Sequence, residues 1–174
     1  IKIAEENPDK EVIFLGIGFE TTIPILTVTL QEAEKKSLTN YTIWMTTKLV
    51  EPVLRTLLHS KEISIDGFLL PGHVSVVTGK NSFDFLVEDY HISGVITGFE
   101  PVELLRGIYK LLQQLLNEKT EIINDYTYMV KNDGNVVAKK MMEKYLDYHD
   151  EEWRGMGVIQ NSGLTLKHEY AKFD

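Results

Sequence analysis

The chain has 174 residues, no cysteine, and 26 acidic against 18 basic side chains, which give it a formal net charge of −8. Its 43% of hydrophobic and 25% of charged residues are typical of a globular domain and exclude a disordered or fibrous protein. The absence of cysteine excludes disulfides, thiolate zinc sites and cysteine nucleophiles, and the acidic charge argues against a nucleic-acid partner. Because no membrane-length apolar run and no signal-peptide pattern occur, we expect no membrane association and a cytoplasmic protein.

Short apolar runs alternate with segments of helical period as far as residue 118. Residues 12–15 form an uninterrupted apolar run, which predicts a strand that is buried on both faces. Further strands are predicted at residues 41–45, 67–70 and 94–97, and helices at residues 1–6, 22–36, 82–88 and 101–117 and from Pro52 onwards. The alternation predicts an α/β fold, in which successive βα units build a mostly parallel sheet flanked by helices.

The alternation of apolar runs with segments of helical period weakens after residue 118. Residues 122–130 are compatible with a strand or a helix, residues 135–148 predict a helix, and residues 157–159 predict a short strand. We therefore expect an α/β domain at 1–118 and a closing segment at 119–174, which packs on that domain or on a neighbouring domain outside this sequence. Because the chain starts at Ile1 inside a predicted helix, we interpret it as an internal piece of a longer protein.

A similar short motif follows three of the predicted strands, as Gly18-Phe19-Glu20, Gly72-His73 and Gly98-Phe99-Glu100. The carboxyl ends of parallel strands lie at one edge of a sheet, so we expect Glu20, His73 and Glu100 to converge there as candidate catalytic residues. The alternative is structural. Both carboxylates would then only begin helices, where free backbone N–H groups favour them, and His73 would have a local role.

Five motifs occur in an order that resembles the hydrogenase formation protein HypD family. They lie at residues 16–24 (GIGFETTIP), 71–79 (PGHVSVVTG), 98–105 (GFEPVELL), 133–135 (DGN) and 153–164 (WRGMGVIQNSGL). The resemblance covers almost the whole chain and implies Rossmann-like α/β domains within a longer protein. The sequence departs from the pattern of the resembled family at two places. A histidine would be expected near Lys48, and an arginine at the position of Tyr128.

The resemblance implies a maturation scaffold that helps to assemble the Fe(CN)2CO centre of [NiFe] hydrogenase. The implied partners are a HypC-like chaperone and a HypE-like cyanide donor, and the implied role is redox or ligand transfer during assembly rather than metabolic catalysis. The full-length family protein carries a [4Fe-4S] cluster and iron-site cysteines. Since this sequence has no cysteine, we expect no cofactor within it.

The resemblance also assigns roles to the three loops. Glu20, His73 and Glu100 would orient ligands or move protons. Thr21, Thr22 and Ser75 would donate hydrogen bonds to cyanide nitrogen. The other residues that would line the cleft for the iron complex are Gly18, Phe19, Gly72, Gly98 and Phe99. Residues 153–155 would be either a second wall of the site or a packing element.

Two other functions fit the same residues. A small-ligand-binding α/β enzyme could use Glu20, His73 and Glu100 without iron. A purely structural interaction module would instead tolerate substitutions in these loops and be sensitive on its exposed helix faces.

Overall fold

The computed structural model describes residues 1–60 and 64–174 and is mixed α/β, which confirms the expected fold class. The α-helices are α1 (Lys2–Glu6), α2 (Ile23–Lys35), α3 (Val50–His59), α4 (Gly72–Thr78), α5 (Phe85–Glu88), α6 (Pro101–Leu116) and α7 (Val136–Tyr145). The strands are β1 (Val12–Gly18), β2 (Tyr41–Lys48), β3 (Gly67–Pro71), β4 (Ser93–Thr97), β5 (Ile122–Asn124), β6 (Leu146–Trp153) and β7 (Gly157–Leu166). Within these ranges, none of the helices has the length and apolar character that crossing a bilayer requires.

The chain divides into two compact units, residues 1–53 with 137–174 and residues 54–136. The first contains a four-stranded sheet in the order β1-β2-β7-β6, in which β1 and β2 are parallel and β7 is antiparallel to both of its neighbours. The second contains a parallel sheet in the order β3-β4-β5. The boundaries of these units, after residues 53 and 136, differ from the domain boundary expected after residue 118. The expected division into two domains stays a prediction.

The core of the first unit forms where α2 packs on the sheet. The apolar residues of α2 recur every three or four positions, so they lie on one helix face. Completely or almost completely buried members of this core are Ile23, Leu26, Leu30, Ile43, Tyr145 and Phe173. Each large apolar side chain buried in this way contributes about 1.5–3 kcal/mol, so this face anchors α2 to the sheet.

The segment that precedes β1 is tied to β2 by one buried amide. The side chain of Asn40 donates hydrogen bonds to the carbonyl oxygens of Ala4, Asn7 and Lys10, over 3.0, 3.0 and 2.9 Å. The backbone carbonyl of Asn40 also accepts from the N–H of Val12 over 2.8 Å, where the β1–β2 pairing begins. A single residue therefore fixes both the end of α1 and the start of the sheet.

The prediction that the first strand is buried on both faces is wrong. Ile13, Leu15 and Ile17 are 57, 57 and 65% exposed, although they belong to the most apolar strand of the sheet. The other face of β1 carries Gly16, where an added Cβ would lie 3.0 Å from Leu26 of α2. The physical reason is that no described element covers this face of the sheet, since Trp44 of the interior strand β2, in register with Leu15, is 63% exposed as well.

In the second unit, α6 covers the parallel sheet through a small residue. Every residue of the central strand β4 is buried, and an added Cβ at Gly107 of α6 would lie 3.2 Å from Thr97, so glycine allows the helix to lie close to the strand. The predicted helix at 101–117 is thus confirmed. Its apolar positions form a stripe wider than the three-stranded sheet covers, so Leu105 and Leu112 remain 67 and 52% exposed.

The C-terminal segment is an antiparallel hairpin that the pattern did not predict. The expected helix at 135–148 is observed as α7, which ends at Tyr145, and the short strand expected at 157–159 extends to Leu166. The strand β6 has the polar sequence LDYHDEEW and lies at the edge of the sheet. A strand without an apolar run gives no signal of period two, which is why it was missed.

Candidate functional site

The first loop runs from the end of β1 to the start of α2 and closes on itself. The backbone N–H and the hydroxyl of Thr22 both donate to the carbonyl oxygen of Phe19, each over 3.0 Å. Gly18 has a φ of 140°, and a Cβ there would lie 2.5 Å from the hydroxyl oxygen of Thr22, so the turn needs glycine. Thr21 is exposed, and its hydroxyl has no hydrogen-bond partner among the described residues.

Glu20 is buried within this loop, with only 5% of its surface exposed. One carboxylate oxygen, Oε1, accepts a hydrogen bond of 2.7 Å from the N–H of Val50, the first residue of α3. The other oxygen, Oε2, and the hydroxyl of buried Thr47 have no partner among the described residues. Burial raises the pKa of the Glu20 carboxyl, against the lowering effect of the backbone N–H donors of Val50 and Glu20 itself. Glu20 is therefore a candidate proton carrier, held in the loop after β1 by its contact with the first residue of α3.

An aromatic and cationic wall lies beside the first loop. The ring of Trp153 lies 6.1 Å from that of Phe19, and the ammonium of Lys48 lies 5.0 Å from the Trp153 ring centre. The indole N–H donates to the hydroxyl of Ser162 over 2.8 Å, which fixes the ring to β7. Lys48 forms an ion pair of 3.4 Å with Glu151. Trp153 is thus both packed against the hairpin and adjacent to the loop that carries Glu20.

The second loop begins α4 in the other unit. Gly72 is buried, and an added Cβ there would overlap the carbonyl oxygen of Thr97. Ser75 is completely buried, and its hydroxyl donates to the carbonyl oxygen of Pro71 over 2.8 Å. His73 is exposed. The hydroxyl proton of Ser75 is therefore engaged within its own helix, whereas the imidazole faces solvent.

The third loop, at residues 98–100, begins α6 with a capping box. Glu100 is the N-cap residue, and its backbone N–H donates to Oε2 of Glu103 over 3.1 Å. The hydroxyl of Tyr128 donates to Oε1 of Glu103 over 2.6 Å, and this bond is the main cause of the lowered pKa of the Glu103 carboxyl. Tyr128 thus gives Glu103 a neutral hydrogen-bond donor. Glu100 thus begins a helix, and its catalytic role stays a prediction.

Tyr126, which sequence reasoning missed, lies against both loops of the second unit. An added Cβ at Gly72 or at Gly98 would lie 2.7 or 2.8 Å from its ring, so both glycines permit the close packing. The ring of His73 lies 4.3 Å from that of Phe99, which brings the two loops together. No spacing rule could have selected Tyr126, because it follows β5 and carries no motif.

The Asp-Gly-Asn motif at residues 133–135 supports α4. The N–H of Asn135 donates to the carbonyl oxygen of Val77 over 3.0 Å, and the N–H of Lys80 donates to that of Lys131 over 3.1 Å. Gly134 packs directly on the backbone of Val77 and Gly79, where a side chain would overlap it. This motif therefore positions the helix that carries His73.

Each unit brings some of the predicted site residues together. Phe19 and Glu20 lie with Trp153 in the first unit, and His73 and Phe99 lie together in the second. The convergence of Glu20 with His73 and Glu100 stays a prediction. No group of three or more His, Cys, Asp or Glu side chains is arranged to hold a metal ion in residues 1–60 and 64–174.

The fold and these loops define a class, a mixed α/β protein with glycine-rich loops at the carboxyl ends of parallel strands. The model of the HypD family, described as "Hydrogenase formation hypA family", matches residues 1–174. The chain belongs to the HypD family.

Its relatives include three proteins named as hydrogenase maturation factors. HypD of Escherichia coli (strain K12) is 39% identical over 175 residues, HypD2 of Bradyrhizobium diazoefficiens is 39% identical over 181, and HypD of Rhodobacter capsulatus is 37% identical over 175. Each match covers 100% of this chain but 47, 48 and 46% of the relative. The chain therefore spans about half the length of the curated relatives that it matches.

Proposed function

We propose that the whole protein to which this chain belongs is a scaffold for assembling the Fe(CN)2CO centre of [NiFe] hydrogenase. In this proposal it works with a HypC-like chaperone and receives cyanide from a HypE-like donor. The observation that carries the proposal is the match of the HypD family model along residues 1–174. The names of the relatives support the broader role in hydrogenase maturation.

Glu20 is the group proposed to move a proton during assembly. Its carboxyl is buried, its pKa is raised by that burial, and one of its oxygens has no partner among the described residues. A carboxyl with a raised pKa releases and recovers a proton closer to neutral pH than an exposed one. This supports a proton-transfer role for Glu20 over a purely structural one.

Hydrogen bonding to cyanide nitrogen is proposed for Thr21 first among the three candidate hydroxyls. The hydroxyl of Thr21 is exposed and has no partner among the described residues. The hydroxyls of Thr22 and Ser75 already donate to backbone carbonyls of their own loops. A hydroxyl has one proton to donate, so these two would have to break an existing bond first.

His73 and Glu100 are proposed to orient or protonate ligands from the second unit. Both side chains are exposed, and the ring of His73 lies against Phe99, which restricts its orientation. Lys48, Trp153 and Phe19 would form a wall beside Glu20. The iron complex itself is cargo in this proposal, held through groups outside this chain.

A [4Fe-4S] cluster, which the family resemblance implies, does not fit the residues of this chain. Such clusters are held by cysteine thiolates, and the chain has no cysteine. The proposal therefore assigns the cluster to the part of the whole protein that this chain lacks.

The proposal is tested by purifying the whole protein without oxygen and measuring iron and acid-labile sulfide. We expect about four of each per chain, as one [4Fe-4S] cluster requires. We also expect a HypC-like protein to copurify with it. Absence of iron, sulfide and the chaperone after reconstitution would contradict the proposal and favour a small-ligand enzyme that uses the same loops.

A further inference from the structure

The two edges of the sheet in the first unit differ in how they are protected. The edge strand β6 carries five consecutive polar or charged residues at 148–152 and a register shift between His149 and Glu151. Charges and irregularities of this kind prevent another strand from pairing with an edge. The opposite edge strand, β1, has the sequence VIFLGIG, with no charge, no proline and an unbroken register against β2.

Alternate residues of β1 direct both their backbone groups and their side chains away from the folded unit. The N–H of Val12 donates to the carbonyl of Asn40, so Val12 and every second residue after it face β2. The N–H and C=O groups of Ile13, Leu15 and Ile17 therefore point to the open edge. Their side chains are more than half exposed, as is that of Trp44, which is in register with Leu15.

This combination is typical of an interior strand of a parallel sheet. Strands with continuous apolar sequence occur where neighbours pair on both sides and helices cover both faces. A long, flat, apolar edge left in water is an aggregation site. The sequence of β1 is thus suited to permanent burial rather than to the brief contact of an exchanging partner.

The lengths of the relatives indicate which segment pairs with the open edge of β1. The matches of 33 to 39% identity cover all of this chain but only 46 to 48% of each relative. We infer that a strand from the part of the whole protein without a counterpart here pairs with β1, and that the same part covers Ile13, Leu15 and Ile17. This inference goes beyond the proposed function and does not depend on it.

The test is residue-resolved hydrogen exchange on the whole protein, with its mass in solution measured by light scattering. We expect the amides of Ile13, Leu15 and Ile17 to exchange about tenfold or more slowly than the exposed amides at the edge of β6. Equal exchange at the two edges would overturn the inference. Protection that appears only in a dimer and is lost on dilution would also overturn it, because the occupant would then be a second copy.

A pair of matched variants of the whole protein gives an independent readout. Leu15→Lys places a charge at the proposed pairing site, and Val158→Lys places the same charge at an exposed position of the hairpin. We expect Leu15→Lys to lower Tm by about 4 °C or more and Val158→Lys to change it by about 1 °C or less. Equal, small effects of the two substitutions would count against burial of β1.

Discussion

Among the acidic residues that the structure describes, Glu20 is unusual because its carboxyl is buried and has no counter-ion in residues 1–60 and 64–174. Its Oε1 accepts from Val50, and its Oε2 has no partner among the described residues. A buried carboxylate is costly unless its charge is compensated, so the fold favours the protonated form. The raised pKa of this carboxyl supports the proposed proton-transfer role of Glu20 and can be measured in the folded protein.

This raised pKa predicts how stability depends on pH. Between the ordinary pKa of about 4.3 and the folded value, the folded state holds the Glu20 proton more tightly than the unfolded chain does. The contribution of this group is therefore fully present below about pH 4.3 and is lost as pH rises through the folded pKa. Glu20→Gln keeps the acceptor for Val50 and cannot ionise, so its stability relative to the unsubstituted protein should increase with pH.

Urea denaturation of the whole protein at several pH values checks this prediction. The matched control is Glu118→Gln, at an exposed position. We expect the free energy of unfolding of Glu118→Gln to follow that of the unsubstituted protein at every pH. Parallel curves for Glu20→Gln would show that the pKa of Glu20 is not raised.

Asn40 is a residue for which an isosteric change should be costly, because its side-chain amide donates to three backbone carbonyls. In Asn40→Asp, an oxygen replaces the nitrogen that donates to three carbonyl oxygens, so donors are lost and a buried charge faces acceptors. We expect the free energy of unfolding to fall by about 3 kcal/mol at neutral pH. The same change at exposed Asn132 should cost about 0.5 kcal/mol or less, and equal costs would contradict the proposed role.

Among the elements, α4 depends most closely on the absence of a side chain. A Cβ at Gly72 would meet the backbone oxygen of Thr97 and the buried ring of Tyr126, neither of which can turn aside. We expect Gly72→Ala to lower the free energy of unfolding by about 1–3 kcal/mol, as measured by chemical denaturation.

A matched control for Gly72→Ala is Gly107→Ala in α6. The nearest atom to an added Cβ there is at 3.2 Å, and alanine favours a helix over glycine by about 0.5–1 kcal/mol, so the net change should be small. A loss at Gly107 as large as that at Gly72 would show that tight packing around α4 is not the cause.

The contrast between α6 and β6 shows what could be predicted from the sequence. The spacing of Leu105, Ile108 and Leu112 was sufficient for α6, because helical periodicity is a property of adjacent turns. The strand β6 is polar and depends on pairing with β7, which its own sequence does not specify. The burial of β1 was overestimated for a related reason, since an apolar run does not reveal whether another element covers the second face of its strand.

At the scale of the whole molecule, the βα alternation predicted the fold class but not the division of strands between two sheets. Strand order depends on long-range pairing, such as that of Thr47 with Leu164, and no local pattern encodes it. The candidate site was predictable as loops, because motifs directly follow predicted strands. The contribution of Tyr126 was not predictable, since it reaches its loops only through tertiary packing. Trp153 lies in a motif for which a site wall and a packing element were both left open.

Complementation of hydrogenase maturation tests the proposed role of the site most directly. Cells that lack their own family protein would receive the whole protein, either unsubstituted, with Glu20→Gln, or with the exposed control Glu118→Gln. Protein levels would be measured by immunoblot, and hydrogenase activity would be the readout. Because Glu20→Gln preserves the hydrogen bond to Val50, we expect a normal protein level with activity reduced about 100-fold, and unchanged activity for Glu118→Gln. Full activity of Glu20→Gln would contradict a proton-transfer role for Glu20 in maturation.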